Sequence, residues 1–295
     1  MTPPYETIDQ PTTVSLPRTR TRGTTELGMG DVLTGLTRQI DRLDQLQTLI
    51  AGENDYSIPP IDFELPAGFL LSVVVPVYNE RNTIGRILAR LSTMPLPLEI
   101  IVVDDASTDG TRDVLKFLES VPNLRVLYHR QNQGKGAAVR SGFAAARGTV
   151  VIVQDADLEY NPADIPPLVK PLVQGQADVV YGSRFMNGSA RGSSWIHQFG
   201  NRMLTWVSNL ATGLQLSDME TCYKAFRRDM LTDLCLQQSR FGFEPEITAK
   251  IARRGARVVE LPVSYQARDW EEGKKIGLKD GFAALYCILR YAWRD

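Results

Sequence analysis

Four short runs of apolar, mostly β-branched residues alternate with amphipathic segments of helical period in the middle of this chain. The runs cover residues 71–76, 99–104, 124–128 and 149–154, and the segments between them cover residues 82–91, 111–120 and 134–146. Such runs are typical of strands buried on both faces, and the intervening helices return the chain so that the strands lie parallel. We therefore predict an α/β fold, a mostly parallel sheet with helices on both faces.

Polar clusters follow three of the predicted strands, at the points where those strands end. The clusters are Tyr78-Asn79-Glu80, Asp104-Asp105 and Asp155-Ala156-Asp157. The carboxyl ends of parallel strands meet at one edge of a sheet, and ligands of open α/β sheets bind in the crevice outside that edge. One polar loop carries little information, but three clusters at the same edge predict a ligand site there.

Asp155 and Asp157 predict a metal site. In an extended chain, residues i and i+2 project to the same side, so the two carboxylates would repel each other unless a cation lay between them. Oxygen ligands suit Mg²⁺ or Mn²⁺, which would hold a diphosphate and take up charge as it leaves. The alternative is a solvated acidic turn, or an N-cap for a helix that begins at Pro162.

The other clusters and one lysine offer groups that suit a nucleotide. Tyr78 supplies a ring for stacking, and Glu80 and Asp105 supply carboxylates for ribose hydroxyls or base N–H groups. Alternatively, the aspartates after the second strand only cap the turn-like segment at 107–110. Lys135, between two glycines at a predicted helix start, suits phosphate binding, although the Walker A spacing is absent.

The composition argues against several other classes of protein. The 295-residue chain has a net charge of −1, so no overall basic field would attract nucleic acid. The three cysteines form no CxxC pair, and the two histidines are far apart in sequence, which argues against a zinc site. We expect Cys222, Cys235 and Cys287 to be buried free thiols in a reducing cytoplasm.

The N-terminal region shows no signal-peptide core, and no window reaches the roughly 18 apolar residues of a membrane span. A single apolar stripe on a predicted helix at 31–51 would dock on the main domain, pair with another subunit to give a dimer or tetramer, or rest on a membrane. The predicted division is a disordered tail at 1–30, a helical extension and proline-marked linker at 31–66, a main domain at 67–277 and an amphipathic helix at 278–295.

Two later segments combine helical periodicity with aromatic residues. Residues 195–216 carry Trp195 and Trp206 beside Arg202, and residues 278–293 carry several aromatics beside basic residues. This pattern is typical of a helix at a membrane interface, and the alternative is an amphipathic helix packed on the sheet. The interfacial interpretation predicts a peripheral contact with the cytoplasmic face of a membrane, or with a membrane-anchored partner.

Five motifs in a fixed order resemble those of the family 2 glycosyltransferases, which have the Rossmann-like GT-A fold. They are VVVPVYNE, VVDDASTDGT, NQGKGAAVRSG, VQDADLEYNP and YGSR, and the match runs from about Leu71 to Ile276. The chain looks most like the branch that contains dolichol-phosphate mannosyltransferase and bacterial polyprenyl-phosphate glycosyltransferases. The parallel sheet is predicted without this resemblance, whereas the sugar chemistry depends on it.

The resemblance implies roles for residues around a nucleotide-sugar donor. The base and ribose would contact Pro76, Tyr78, Glu80, Val103 and Asp105. The diphosphate would be lined by Asp155, Ala156 and Asp157, with Asp157 binding the metal. Glu159 stands where many relatives of the branch carry glutamine as a further metal ligand, and this departure adds a negative charge. The predicted metal ligands are thus Asp155, Asp157 and Glu159.

The resemblance also implies a set of cations for phosphate groups. Arg184 would reach a donor phosphate, and Arg268 and Lys274 match a pair that neutralises donor and acceptor phosphates in this branch. These three cations and Asp157 are the predicted catalytic residues, and Lys135 is a further predicted contact of the donor. The segment at 265–276 resembles the acceptor loop of the branch, and its glycine would permit a mobile lid.

The family resemblance predicts an inverting transfer of a hexose from GDP-mannose or UDP-glucose, with Mg²⁺ or Mn²⁺. A polyprenyl or dolichyl phosphate acceptor is already anionic near neutral pH, so it needs cations and no general base. The alternative acceptor, a hydroxyl of a soluble molecule or polysaccharide, would need a carboxylate base, for which Asp218 and Glu244 are candidates. A third alternative is an inactive scaffold that binds nucleotide sugar.

Overall fold

A mixed sheet of seven strands runs through the described part of the chain. The computed structural model describes residues 58–186, 195–240, 242–268 and 278–293, without the side chains of residues 196, 278–280, 282 and 293. The strands are β1 (Leu71–Val77), β2 (Leu98–Asp104), β3 (Leu124–Tyr128), β4 (Val150–Val153), β5 (Val179–Ser183), β6 (Lys224–Arg227) and β7 (Val258–Pro262). Their order across the sheet is β3-β2-β1-β4-β6-β5-β7.

The first four strands confirm the predicted alternation. β1 pairs in parallel with β2 and β4, and β2 pairs in parallel with β3. Every residue of β1 is buried, as expected for a central strand with helices on both faces. The helices between these strands are α1 (Ile84–Ser92), α2 (Thr111–Leu118) and α3 (Lys135–Ala145).

A glycine allows α3 to lie very close to β1. A Cβ atom on Gly142 would stand 2.2 Å from Cγ1 of Val74. A larger residue would force helix and strand apart, because a packed interior has no room for another methyl group. The start of α3 thereby reaches the carboxyl edge of the sheet, where Lys135 Nζ lies 2.8 Å from Asp155 Oδ1.

The remaining strands depart from the simple alternation. β6 runs antiparallel to both β4 and β5, while β5 pairs in parallel with β7. The sequence pattern does not predict these three strands, because none is an uninterrupted apolar run. β5 ends in Gly182-Ser183, and β6 and β7 carry the charges of Lys224 and Glu260. The other helices are α4 (Ile165–Val173), α5 (Trp195–Thr212), α6 (Arg228–Leu231), α7 (Phe243–Arg253) and α8 (Leu278–Trp293).

The described end of the predicted linker lies against the domain. Ile58, Ile61, Phe63 and Leu65 are partly buried and pack on the main hydrophobic core. Prolines in this segment disfavour helix and sheet hydrogen bonding, but they do not prevent packing. Structurally, therefore, the residues just before 67 belong with the domain that follows them.

Several predicted features lie outside the described residues and stay predictions. They are the disordered tail at 1–30, the helix at 31–51 with the oligomer that it predicts, and Lys274 with the acceptor loop after Arg268.

Both predicted aromatic helices form, and their surfaces differ. α8 buries Ala284, Cys287, Ile288 and Tyr291 and packs on the helices α5 and α7, whereas the alternative interpretation places it on the sheet. One side of α5 instead exposes five large apolar side chains: Trp195, Phe199, Met203, Trp206 and Leu210. Among the helices that the structure describes, none combines the length and apolar character required to span a membrane.

The predicted burial of the cysteines is correct for two of the three. Cys222 and Cys287 are buried free thiols, whereas Cys235 is exposed. The prediction fails for Cys235 because it lies in the irregular segment between α6 and α7, which runs over the surface.

Candidate active site

A cavity of about 440 Å³ opens at the carboxyl edge of the sheet, where the three polar clusters meet. The predicted site residues that line it are Pro76, Tyr78, Glu80, Asp105, Lys135, Asp155, Ala156, Asp157, Glu159, Arg184 and Arg268. The structure therefore brings the clusters together as their shared position after parallel strands predicts.

Val103 is the exception among the predicted donor contacts. Its side chain is fully buried in a core cluster with Val74, Ile101 and Ala138. It shares one face of β2 with Ile101, because side chains two residues apart on a strand point the same way. The Val103 side chain points into the core and does not line the cavity.

The loops after β1 and β2 are fastened to each other. Asn79 N donates to Ser107 Oγ at 3.0 Å, and Thr108 N donates to Asn79 Oδ1 at 2.8 Å. Asn79 has a φ of 56°, in the left-handed region that asparagine tolerates. Glu80 N donates to Thr111 Oγ1 at 2.9 Å, so the Glu80 carboxylate extends from a fixed backbone.

Asp104 is a structural residue. It is fully buried, lies 2.5 Å from Arg112 Nε and accepts a hydrogen bond from Ser107 N at 3.2 Å. This arrangement confirms the turn-capping interpretation for Asp104, which does not line the cavity.

Asp105 lines the cavity, but its oxygens hold the loop that leads into α3. They accept hydrogen bonds from Gln133 N at 2.9 Å and Gly134 N at 2.7 Å, and one of them lies 2.7 Å from His129 Nδ1. Asp105 thus positions the lysine loop, and any contact with a ribose would have to share these oxygens.

The glycines on both sides of Lys135 have a packing role. A Cβ atom on Gly134, whose φ is 94°, would stand 2.4 Å from the carbonyl oxygen of Ser239. One on Gly136 would stand 2.5 Å from the carbonyl oxygen of Gln238. The glycines admit the backbone at 238–239 against the start of α3, and Lys135 itself is paired with a carboxylate, Asp155.

The extended geometry assumed for Asp155 and Asp157 is wrong. β4 ends at Val153, Leu158 has a φ of 65°, and Glu159 N donates back to Asp157 Oδ1 at 3.1 Å. The chain therefore turns at this point, because the Asp157 side chain offers the backbone a local hydrogen bond. Both aspartates still line the cavity.

Asp157 lies in an acidic environment. Burial raises the pKa of Asp157 to about 7, and the charges of Asp155 and Glu159 act in the same direction. Arg268 opposes them, with Nη2 3.2 Å from Asp157 Oδ2. A positive charge beside Asp157 therefore relieves repulsion that Asp155 and Glu159 create.

Arg268 bridges the acidic side of the cavity. Its Nη1 and Nη2 donate to the two carboxylate oxygens of Glu80, each at 3.0 Å, and Nη2 also lies close to Asp157. Glu159 accepts from Arg268 N at 3.1 Å and from the Tyr265 hydroxyl at 2.8 Å. Arg268 thereby ties the loop after β1 to the loop after β4.

Arg184 is held by a buried partner. Its Nε and Nη2 donate to the two oxygens of Asp218, each at 2.7 Å, and Asn201 Nδ2 donates to the same carboxylate at 3.2 Å. The guanidinium also lies over the Tyr265 ring, 5.2 Å from its centroid. A guanidinium fixed in this way is a preorganised positive charge on the cavity wall.

The two carboxylates predicted as general bases are both engaged. Asp218 is fully buried and paired with Arg184, and Glu244 forms a buried ion pair with Lys224. A general base needs a free lone pair within reach of the proton that it removes. The Arg184 ion pair occupies both oxygens of Asp218, whereas Lys224 occupies only Oε2 of Glu244.

Glu220 is a site residue that the motifs do not reveal. It lines the cavity, and burial, followed by the charge of Glu244, raises the pKa of Glu220 to about 7. It is part of the stretch before β6, a strand that the sequence pattern does not predict, and its closeness in sequence to Asp218 is the only signal that points to it.

The carboxylates after β4 suit a hard divalent cation by their chemistry. Within the described ranges, no three or more His, Cys, Asp or Glu side chains are arranged to hold a metal ion. Mg²⁺ commonly takes one or two carboxylates and completes its coordination with water and substrate phosphates. Asp155 and Asp157 fit that demand in number and type, with Lys135 and Arg268 lying against them as cations. Glu159, the third predicted ligand, accepts hydrogen bonds from Tyr265 and Arg268.

A family model described as "Glycosyl transferase family 2" matches residues 72–235, which is more than half of the chain. The chain belongs to glycosyl transferase family 2. The three polar clusters of this glycosyltransferase, and also Lys135, Arg184 and Glu220, lie within the matched region.

Curated relatives confirm the resemblance to one branch of the family. The chain is 34% identical over 212 residues to undecaprenyl-phosphate 4-deoxy-4-formamido-L-arabinose transferase of Aeromonas hydrophila, which covers 70% of this chain and 62% of that protein. It is 32% identical over 215 residues to undecaprenyl-phosphate mannosyltransferase of Micrococcus luteus, which covers 69% and 86%. The glycosyltransferase thus spans less than two thirds of the Aeromonas relative.

Solved structures confirm the fold. Glucosyl-3-phosphoglycerate synthase from Mycobacterium tuberculosis, in complex with Mg²⁺ and UDP, has a TM-score of 0.59 and 21% identity, and the match covers 86% of this chain and 84% of that one. Its complex with Mn²⁺, UDP and phosphoglyceric acid has a TM-score of 0.59 and 22% identity over 86% and 83%. The glycosyltransferase therefore has the GT-A fold.

Proposed function

We propose that this glycosyltransferase moves a hexose, with inversion, from a nucleoside diphosphate sugar to a polyprenyl phosphate. GDP-mannose and UDP-glucose are the proposed donors. The observation that carries the proposal is the meeting of Arg184, Arg268 and Lys135 with the carboxylates of Asp155 and Asp157 in one cavity. Two anionic phosphates can approach each other only where cations neutralise them. The names of the undecaprenyl-phosphate relatives support the lipid acceptor.

The donor is proposed to lie with its base toward the loops after β1 and β2. Tyr78 offers a ring and Pro76 an apolar wall, and Glu80 offers carboxylate oxygens that Arg268 now holds. The diphosphate then reaches the turn at Asp155 to Asp157. Lys135, which pairs with Asp155, and Arg184, which Asp218 holds, line the same cavity as positive charges.

A divalent cation fits beside the diphosphate. Asp157, supported by Asp155, would supply its protein ligands, and the proposed ion is Mg²⁺ or Mn²⁺. When bound, it would take up negative charge from the departing diphosphate. The raised pKa of Asp157 supports this assignment, because a nearby cation would remove the cost of ionising that carboxyl.

An acceptor phosphate agrees with the pairing of both predicted base candidates with cations. A phosphate oxygen is already anionic, so it attacks the anomeric carbon while the bond to the nucleoside diphosphate breaks. Asp218 and Glu244 are both paired with cations, which speaks against a hydroxyl acceptor that must lose a proton. Arg184, Arg268 and Lys274 are the proposed cations for the two phosphates.

The exposed face of α5 is proposed to rest on the membrane that holds the lipid acceptor. Trp195 and Trp206 are 76% and 62% exposed and lie on the same side of the helix. Tryptophan rings favour the interface between acyl chains and headgroups. Replacing both with serine should abolish co-sedimentation with phosphatidylglycerol–phosphatidylcholine vesicles, while Phe117→Ser on α2 should not. Equal binding by all three proteins would contradict this contact.

The test of the proposed function is a donor and metal assay with the full chain. Each labelled sugar nucleotide is mixed with vesicles that contain polyprenyl phosphate, in Mg²⁺, Mn²⁺ or EDTA, and the label in the organic phase is counted. We expect label from one donor only, in either metal and not in EDTA. Transfer that resists both EDTA and Asp157→Asn would overturn the metal assignment, and no organic-phase label from any donor would overturn the acceptor.

A further inference from the structure

Glu220 projects from a backbone that is fixed on both sides. Before it, Asp218 N donates to Glu260 Oε1 at 2.9 Å. After it, Cys222 N donates to the hydroxyl of Tyr160 at 3.1 Å. The segment has little freedom to move, so the carboxyl is presented to the cavity from a set position.

One oxygen of that carboxyl is buried without a donor. Oε1 of Glu220 accepts no hydrogen bond from any residue that the structure describes. The cations nearest to it are committed elsewhere, Arg184 to Asp218 and Lys224 to Glu244. Buried polar atoms almost always have a partner, since an unmet one costs free energy. On a cavity wall, such an atom is suited to a donor on a ligand.

The chemistry of the missing partner is restricted by the charges around it. Glu220 and Glu244 both line the cavity, and the charge of Glu244 acts against a second negative charge at Glu220. The missing partner is therefore a hydrogen-bond donor and not an anion. The base is proposed to lie near Tyr78 and the diphosphate near Asp155 and Asp157, so the sugar ring is the part of the donor that remains for Glu220, and its hydroxyl groups are neutral and donate hydrogen bonds.

We propose that Glu220 accepts a hydrogen bond from one ring hydroxyl of the donor sugar and thereby helps to select the sugar. This inference rests on the proposed donor and is independent of the proposed acceptor. A site built to bind a substrate hydroxyl discriminates strongly against analogues that lack it, because its own buried group is then left unpaired. The pKa of Glu220, raised to about 7 by burial and by Glu244, fits a carboxyl that awaits a donor.

Donor binding without acceptor tests this role. Calorimetry in Mg²⁺ compares wild type, Glu220→Ala, Glu220→Gln and Glu64→Gln, an exposed carboxylate outside the cavity lining. The ligands are the tightest binder among UDP-glucose, UDP-galactose and GDP-mannose, its monodeoxy analogues, and the free nucleoside diphosphate. We expect Glu220→Ala to bind that sugar nucleotide about 10- to 100-fold more weakly, the size of one hydrogen bond to a charged group. Free nucleoside diphosphate should bind as in wild type.

The deoxy analogues identify the hydroxyl. One analogue should bind wild type about 10- to 100-fold more weakly than the parent but bind Glu220→Ala no more weakly than the parent, because the two changes remove the same contact. Thermal unfolding shows whether each variant is folded. If Glu220→Ala is not folded, Glu220→Gln replaces it in the comparison with the deoxy analogues.

Three results would overturn the proposal: equal losses in wild type and variant for every deoxy analogue, an equal loss for free nucleoside diphosphate, or unchanged donor binding with a loss only in turnover. The last would assign Glu220 to the acceptor. Absence of transfer to polyprenyl phosphate would refute the proposed acceptor but would not affect these measurements of donor binding. Wild type that binds no sugar nucleotide would refute both.

Discussion

The two carboxylates after β2, Asp104 and Asp105, differ in their surroundings from two other carboxylates that line the cavity, Asp157 and Glu220. Asp104 and Asp105 accept hydrogen bonds from backbone amides, Arg112 or His129. Asp157 and Glu220 are buried among like charges, and burial raises the pKa of each to about 7. This contrast indicates that an acidic residue near a strand end has a structural role where hydrogen-bond donors dominate its surroundings, and is a candidate ligand group where other carboxylates surround it.

The largest expected effect is on activity, from Asp157→Asn. The variant should lose about 10²- to 10³-fold in kcat/KM, the size of removing one electrostatic contact of the transition state. Its thermal stability should not fall, because the change removes a charge that Asp155 and Glu159 repel. Asp113→Asn, on the exposed side of α2, is the control and should keep full activity. A loss of activity that merely follows a loss of folding would contradict the ligand role.

Asp104→Ala should show the opposite behaviour. Removing it leaves Arg112 Nε and Ser107 N without their acceptor, so the free energy of unfolding should drop by about 1.5–3 kcal/mol. Urea denaturation measures this loss, and kcat/KM per folded molecule should change far less than in Asp157→Asn. A stable but inactive Asp104→Ala protein would contradict the structural role of Asp104 and place it with Asp157 and Glu220.

The pH dependence of stability should separate wild type from Glu220→Gln. Glu244 and Asp218 raise the pKa of Glu220, and Lys224 and Arg184 lower it, with burial dominant. A carboxyl whose folded pKa lies above its unfolded value binds more protons when folded, so stability falls as pH rises. Between about pH 5 and 8, wild type should lose roughly 1–3 kcal/mol more than Glu220→Gln. Urea denaturation at each pH, in the presence of a chelator, measures this difference in unfolding free energy. The titration of Asp157 contributes equally to both proteins and cancels in the comparison. Parallel curves would mean that Glu220 is not held in its buried state.

His129→Ala should have the smallest effect. Asp105 keeps its two backbone donors, and the His129 ring loses its hydrogen bonds to Asp105 and to Ser141 Oγ, at a cost of about 0.5–1.5 kcal/mol in unfolding free energy for each. Affinity for free nucleoside diphosphate should weaken slightly, since the loop at Lys135 loses one support. A loss greater than that of Asp104→Ala would show that the loop held by Asp105 depends on His129 more than on the backbone.

The first half of the fold follows from the sequence because its strands are uniform apolar runs. β1 is buried on both faces, so its sequence is a continuous apolar run. Once the parallel strands are predicted, the residues that follow them, among them Glu80, Asp105 and Asp157, are expected at the carboxyl edge of the sheet, where the cavity lies. β6 is not predictable in this way, because its buried Lys224 depends on Glu244 in a helix formed later in the chain. Glu220, which precedes it, stays hidden for the same reason.

Side-chain roles within the site are predicted less well than their location. Periodicity places Asp155 and Asp157 at one edge, yet the turn after Val153 and the pairing of Lys135 with Asp155 depend on contacts between distant segments. The resemblance assigns Val103 to the donor, whereas its side chain points into the core, a direction that the motif alone does not reveal.

The cations of this cavity are proposed to serve an acceptor that is already anionic. The most direct measurement compares two acceptors that differ only in that group, a polyprenyl phosphate and the corresponding polyprenol, with wild-type protein, labelled donor and Mg²⁺ or Mn²⁺. We expect lipid-linked sugar from the phosphate and none from the alcohol. Equal transfer to the alcohol would contradict it and show that the site contains a general base.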